Sequence, residues 1–122
     1  MKPILEIGNK TWFAIETQEQ ANEEARTMSH AVHIYFEHRA SKPGVAFFSL
    51  RDAMANPVAT AMVVDPALAL GSIVVGPRNR NPFPDHREAI IALGDHLKIP
   101  LDERSFPYAA APTQPDDEPE GP

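Results

Sequence analysis

Cysteine is absent from the 122 residues, so no disulfide framework, zinc ribbon or thiol nucleophile is available, and a reducing compartment suits the chain. No apolar run approaches the roughly 18 residues of a membrane span. The opening MKPILEIGNKTW carries an early lysine but no apolar stretch of signal-peptide length. Read together, these absences describe a soluble cytoplasmic protein without a membrane partner. Positive charge is also scarce, with 11 Lys and Arg against 17 Asp and Glu and a net charge of −6. From Asp102 onward Asp102, Glu103, Asp116, Asp117, Glu118 and Glu120 face only Arg104, so −5 of that total lies there and −1 in the body. Such a chain repels a phosphate backbone at long range, which disfavours nucleic acid as a partner while leaving room for a local basic patch.

What is present suits one compact domain, since a 43% hydrophobic chain of this length can bury a single core without a structural metal or cofactor. Ile4 to Ile7 and Thr11 to Ile15 are β-prone runs about the turn-forming Gly8-Asn9-Lys10, which suggests a hairpin. Thr17 followed by Gln20 is a capping-box pair, and behind it Ala21, Ala25, Met28, Val32 and Tyr35 recur at spacings that place them on one helical stripe. Val45 to Leu50, Val58 to Val64 and Ser72 to Val75 read as three strands whose short connections allow only antiparallel pairing. Gly76 to Pro84, with three prolines, reads as irregular structure. Asp85 is placed to cap a closing helix with Ala89, Ile90, Leu93 and Leu97 on its apolar face. From Ser105 the chain holds five prolines and four acids, the composition of a disordered tail.

The expected architecture is therefore an α+β domain over residues 1–104, followed by a disordered acidic proline-rich tail at 105–122. A three-stranded antiparallel meander, with an N-terminal hairpin as a possible addition, packs one apolar face against two main helices. The expected core is Met28, Val32, Tyr35, Phe47, Leu50, Met62, Val64, Ile73, Val75, Ile90, Leu93 and Leu97.

Three stretches then stand out in order: Glu24 to Tyr35 (EARTMSHAVHIY), Phe48 to Asp52 (FSLRD) and Gly76 to Pro82 (GPRNRNP), before the closing helix. Over residues 12–98 their order and spacing resemble the PcfJ-like domain, a family associated with conjugative plasmids, phages and other mobile elements. The matching positions are His30, Val32, Tyr35, Ser49, Arg51, Gly76 and Asn79. The departures are Ala31 where the family usually has cysteine, His33 and Ile34 where glycines are common, and Ile73 where a glutamine is expected. The resemblance implies a mobile-element setting. With two polar groups missing, it points first to a non-enzymatic accessory protein that acts through protein contacts. One form is an anti-defence inhibitor on a basic, nucleic-acid-handling surface of the host. The alternative is a nucleic-acid-processing or other enzymatic domain in which His30, Ser49, Arg51 and Asn79 converge on one pocket.

Individual residues leave both readings open. His30 could serve as a general base oriented by Asp52 or Glu24, or it could cap a helix C-terminus. On a continuous helix His30, His33 and Glu37 would share a face and could hold a metal, although a solvated polar face explains them as well. Ser49 and Arg51 lie on the strand face opposite Phe48 and Leu50, where Arg51 could take an anion or pair with Asp52 or Glu37. The loop carrying Arg78, Asn79 and Arg80, with Arg87 beyond it, could bind an anion or act as a plain connector. A nucleophile elbow and a nucleotide P-loop are both excluded, because Gly-x-Ser-x-Gly and Gly-x-x-x-x-Gly-Lys do not occur.

Overall fold

The computed structural model describes residues 1–108; the disorder expected for the acidic tail falls, from residue 109 onward, outside the described residues. Strands β1 (Lys2–Ile7) and β2 (Lys10–Ile15) form a hairpin that turns at Gly8, whose φ of +62 suits a residue without Cβ. Helices α1 (Gln18–Met28) and α2 (Val32–Arg39) follow, then β3 (Val45–Arg51), β4 (Pro57–Val64), β5 (Ile73–Val75) and α3 (Phe83–Leu97). The strands form one antiparallel sheet in the order β1-β2-β3-β4-β5. The fold is thus α+β, a meander extended by the N-terminal hairpin and packed with helices.

Both faces of the sheet are buried, which corrects the expectation that two helices cover one face. Along β3 and β4, Phe48, Leu50, Ala59, Ala61 and Val63 join Trp12 in a cluster with Ile90 and Leu93 of α3. The alternate residues Phe47, Met62 and Val64 pack with Ala21, Ala25, Val32 and Phe36 of α1 and α2. The near-continuous apolar run of β4, PVATAMVV, is what burial on two faces demands.

Trp12 anchors the α3 side. It is fully buried, and its indole Nε1–H donates to the Ala89 carbonyl at 2.8 Å, joining β2 to α3. Trp12→Ala is expected to lower unfolding stability by about 3–5 kcal/mol, and Trp12→Phe by about 1–2 kcal/mol through the lost donor and volume. Urea denaturation measures both; a change under about 0.5 kcal/mol for the alanine variant, the range of an ordinary surface substitution, would deny Trp12 this role.

The long helical stripe is interrupted. The capping box at Thr17 and Gln20 starts α1 as expected, but Ser29 adopts φ 56, ψ 53 and the Ser29 and His30 amides both close on the Ala25 carbonyl. The chain restarts as α2 after Ala31. The shift in phase buries Phe36 in place of Tyr35, which is 38% exposed; Ile73 and Leu97 are only half-buried. The expected core is corrected at these three positions.

Two boundaries also move. Gly76 to Pro84 is irregular through Pro77–Asn79, a short turn in which Arg78 and Asn79 are left-handed, but α3 begins inside it at Phe83, whose amide donates to Asn81 Oδ1. Asp85 therefore sits in the first turn rather than at the cap. After α3 the chain returns to the core through Leu101, Ser105 and Phe106, all buried. The compact body thus extends beyond residue 104. Gly94 permits this return, since a Cβ there would lie 2.7 Å from the Ile99 carbonyl oxygen.

Candidate functional site

On the α1/α2 side of the sheet a carboxylate is sealed in the fold. Glu24 lies on α1 between Ala21 and Met28, one helical turn from each, so its side chain points inward with theirs. It is fully buried. One oxygen, Oε1, accepts from the Ser49 hydroxyl at 2.9 Å and from Arg51 Nη2 at 3.2 Å. The other, Oε2, accepts from the Thr60 hydroxyl at 2.6 Å. Arg51 Nε also donates to Ser49 Oγ at 3.3 Å. Strand pairing sets this arrangement, because Ser49 of β3 stands opposite Thr60 of β4 on the same face.

His30 extends the network. In the reversal between α1 and α2 its Nδ1 accepts from the Val32 amide at 3.3 Å, which assigns the proton to Nε2. Nε2 then donates to Thr60 Oγ1 at 2.9 Å. The result is an unbroken path from the imidazole through a hydroxyl to a carboxylate. Burial, aided by nearby His33, outweighs a favourable backbone hydrogen bond and lowers the His30 pKa from 6.5 to about 4. The ring is therefore neutral at pH 7.

The path ends at a cavity of about 200 Å³. His30, Thr60 and Asn79 supply polar groups to its lining, and Val32, Met62 and Ile73 are among the apolar ones. Tyr35 and Tyr108, 38% and 52% exposed, also line it. Phe106 is buried and stacks edge-on with Tyr108 at 5.6 Å, which carries the chain after α3 to this cavity.

Of the four residues of the enzymatic alternative, His30, Ser49 and Arg51 share one hydrogen-bond network, and Asn79 lines the cavity with His30. Thr60, the link between them, was not singled out in the sequence; its signal was a hydroxyl on the same strand face as Met62 and Val64. Arg51 pairs with Glu24 rather than with Asp52 or Glu37. Asp52 instead holds its own loop by accepting from the Met54 and Asn56 amides. His30 caps no helix C-terminus through its side chain; it serves the start of α2.

The metal reading is corrected, because the break at Ser29 takes His30 off the helix that carries His33 and Glu37. Among the described residues no group of three His, Cys, Asp or Glu side chains is placed to hold a metal ion. The basic set is also divided. Arg87 Nε donates to Glu103 Oε2 at 2.6 Å, an exposed pair worth little. Arg78 and Arg80 are exposed and form no ion pair among the described residues. No helix of the described residues is long and apolar enough to cross a membrane. Compared with models of protein families, with curated proteins and with solved structures, the chain matches none.

Proposed function

We propose that the chain is an enzymatic domain that carries out acid–base chemistry on a substrate whose reacting end enters the His30 cavity. The observation that carries this reading is the hydrogen-bonded run from the cavity-lining imidazole, through Thr60, to Glu24. A buried neutral imidazole resists becoming a cation, so it accepts a proton efficiently only if it releases one. Here a proton arriving at Nδ1 displaces the long contact from the Val32 amide. The Nε2 proton then passes to Thr60 Oγ1, and the Thr60 hydroxyl proton passes to Glu24 Oε2. The ring ends neutral with its tautomer exchanged, and the carboxylate has gained the proton. Ser49 and Arg51 hold Glu24 in position.

Thr60→Val keeps the shape of the residue and cuts the relay. Wild type and variant are incubated with a panel of esters, nucleotides and short single-stranded oligonucleotides, and products are read by mass spectrometry. Turnover in the wild type and a fall of about 10²–10⁴-fold in the variant, with unchanged circular dichroism, is the expected result. Equal turnover by the two proteins, or none by the wild type, removes the proposal.

A second reading is favoured by the cavity wall itself. Ala31 and Ile73 line it, and these are the positions where the PcfJ-like resemblance implies cysteine and glutamine. A site stripped of two polar groups suits a non-enzymatic, anti-defence type accessory protein of a mobile element, with the charge from Asp102 onward directed at a basic host surface. That reading requires a specific protein partner that Thr60→Val retains and removal of residues 109–122 releases.

A further inference from the structure

We infer that the cavity takes the nucleobase of a nucleotide, with the phosphate received by Arg78 and Arg80. The inference rests on the cavity reading above and names the class of ligand. Size is the first argument. At about 200 Å³ the space is below the roughly 300–1,000 Å³ of sites that enclose a whole drug-sized ligand, so it admits one planar ring system and leaves the rest of the ligand outside.

The lining suits such a ring. Apolar contact comes from Val32, Met62 and Ile73, while the exposed Tyr108 offers an aromatic surface of the kind on which bases stack, and Tyr35 lines the cavity with the Arg39 guanidinium over its ring at 5.1 Å. His30 and Thr60 spend their hydrogen-bonding capacity largely on each other and on Glu24. Asn79 differs, because its side-chain amide makes no hydrogen bond among the described residues and so presents a donor and an acceptor side by side. That is the pattern with which an asparagine reads a base edge such as adenine N6 and N7.

Charge completes the argument. Arg78 and Arg80 flank Asn79 in sequence, are exposed and lack carboxylate partners among the described residues. A ligand with its ring against Asn79 has its polar remainder outside, and two unpartnered guanidinium groups suit an anion there. The turn is tightly specified: Arg78 and Asn79 both have φ near +60, and the Gly76 amide closes on the Arg80 carbonyl at 2.8 Å. A body of near-neutral charge with a C-terminal acidic segment suits a mononucleotide or a strand end better than a long duplex.

Isothermal titration of the full chain tests this with adenosine and cytidine 5′-monophosphates, the matching nucleosides, orthophosphate and a short single-stranded oligonucleotide. A monophosphate is expected to bind about tenfold or more tightly than its nucleoside, the difference vanishing in Arg78→Ala/Arg80→Ala. Asn79→Ala should weaken nucleotide and nucleoside alike. Arg78 and Asn79 are left-handed in this turn, so each variant is checked for an unchanged circular dichroism spectrum. Asn79→Gly, which removes the amide and tolerates that backbone, is run beside Asn79→Ala to separate recognition from turn strain. An oligonucleotide that binds more tightly than the monophosphate identifies a strand end as the source of the same chemistry. Orthophosphate binding as tightly as the nucleotide, no nucleotide binding at millimolar concentration, or indifference to Asn79→Ala each overturns the inference. Nucleotide that binds while the wild type turns over no member of the panel leaves the inference standing and removes the catalytic proposal. Turnover of a different substrate with no nucleotide bound does the reverse.

Discussion

Glu24→Ala is expected to lower unfolding stability by about 3–5 kcal/mol, the range for removing one partner of a buried charged pair. Three donors lose their acceptor at once: the Ser49 hydroxyl, the Thr60 hydroxyl and Arg51 Nη2. Ser49 is fully buried and does not line the cavity, so water cannot replace the carboxylate there without opening the sheet, whereas Thr60 is reached from the cavity it lines. Arg51, 21% exposed in its side chain, can turn partly outward, which favours the lower end of the range. Glu24→Gln is the sharper variant. Its amide oxygen can still serve Ser49 and Arg51, but its nitrogen donates toward Thr60, which already receives the His30 Nε2 proton. The hydroxyl then faces two donors, and its own proton has no acceptor. A loss of about 1–3 kcal/mol is expected, together with a change in the His30 ring detectable by nitrogen NMR. Urea denaturation of the two variants within 0.5 kcal/mol of wild type, an ordinary surface value, would show that the network is neither closed nor buried as described.

Much of the scaffold was legible because it rests on local signals. The capping box at Thr17 and Gln20, the turn at Gly8, and the short links between β3, β4 and β5 are consequences of a few adjacent residues, and each appears where those residues require it. The break at Ser29 was hidden for the opposite reason. Ala21, Ala25, Met28 and Val32 keep a helical spacing across it, and no glycine or proline marks the reversal. The left-handed conformation of Ser29 is fixed by closure onto the Ala25 carbonyl and by the seat of His30 beside Thr60, and neither shows as a pattern in the chain.

The site was legible only in part. Ser49 and Arg51 could be assigned to one strand face by alternation, and His30 and Asn79 came from the resemblance. That these belong to one neighbourhood depends on register: Ser49 opposite Thr60, and Thr60 opposite Val75 just before the Asn79 turn. Glu24 carried a signal that hydropathy alone conceals, since a carboxylate three residues after Ala21 and four before Met28 sits on the buried side of α1. An acid on that stripe needs donors from the facing sheet. Ser49, Arg51 and Thr60 are the polar residues β3 and β4 bring to that face.

The same network makes stability depend on pH in a defined window. The folded state lowers the His30 pKa to about 4 from the ordinary 6.5, through burial first and His33 second. Below 6.5 the unfolded chain binds a proton that the folded chain refuses, so acid favours unfolding. The contribution is fully present above pH 6.5 and is lost progressively as pH falls toward 4, at up to about 1.4 kcal/mol per unit for one proton. With allowance for solvent screening, the total is on the order of 2 kcal/mol. His86 on α3 is lowered by burial too and adds to the slope in the same direction. Subtraction identifies the His30 share. Urea midpoints from pH 7.5 to 4.5 should fall more steeply for wild type than for His30→Gln, whose amide can keep a hydrogen bond to Thr60 but cannot titrate. Asp102 and Glu103, lowered by their arginine partners Arg104 and Arg87, act at the acid end of this range or below it and are unchanged in the comparison. Parallel slopes for the two proteins would mean that His30 meets water freely in the folded state, and the sealed relay to Glu24 would fall with it.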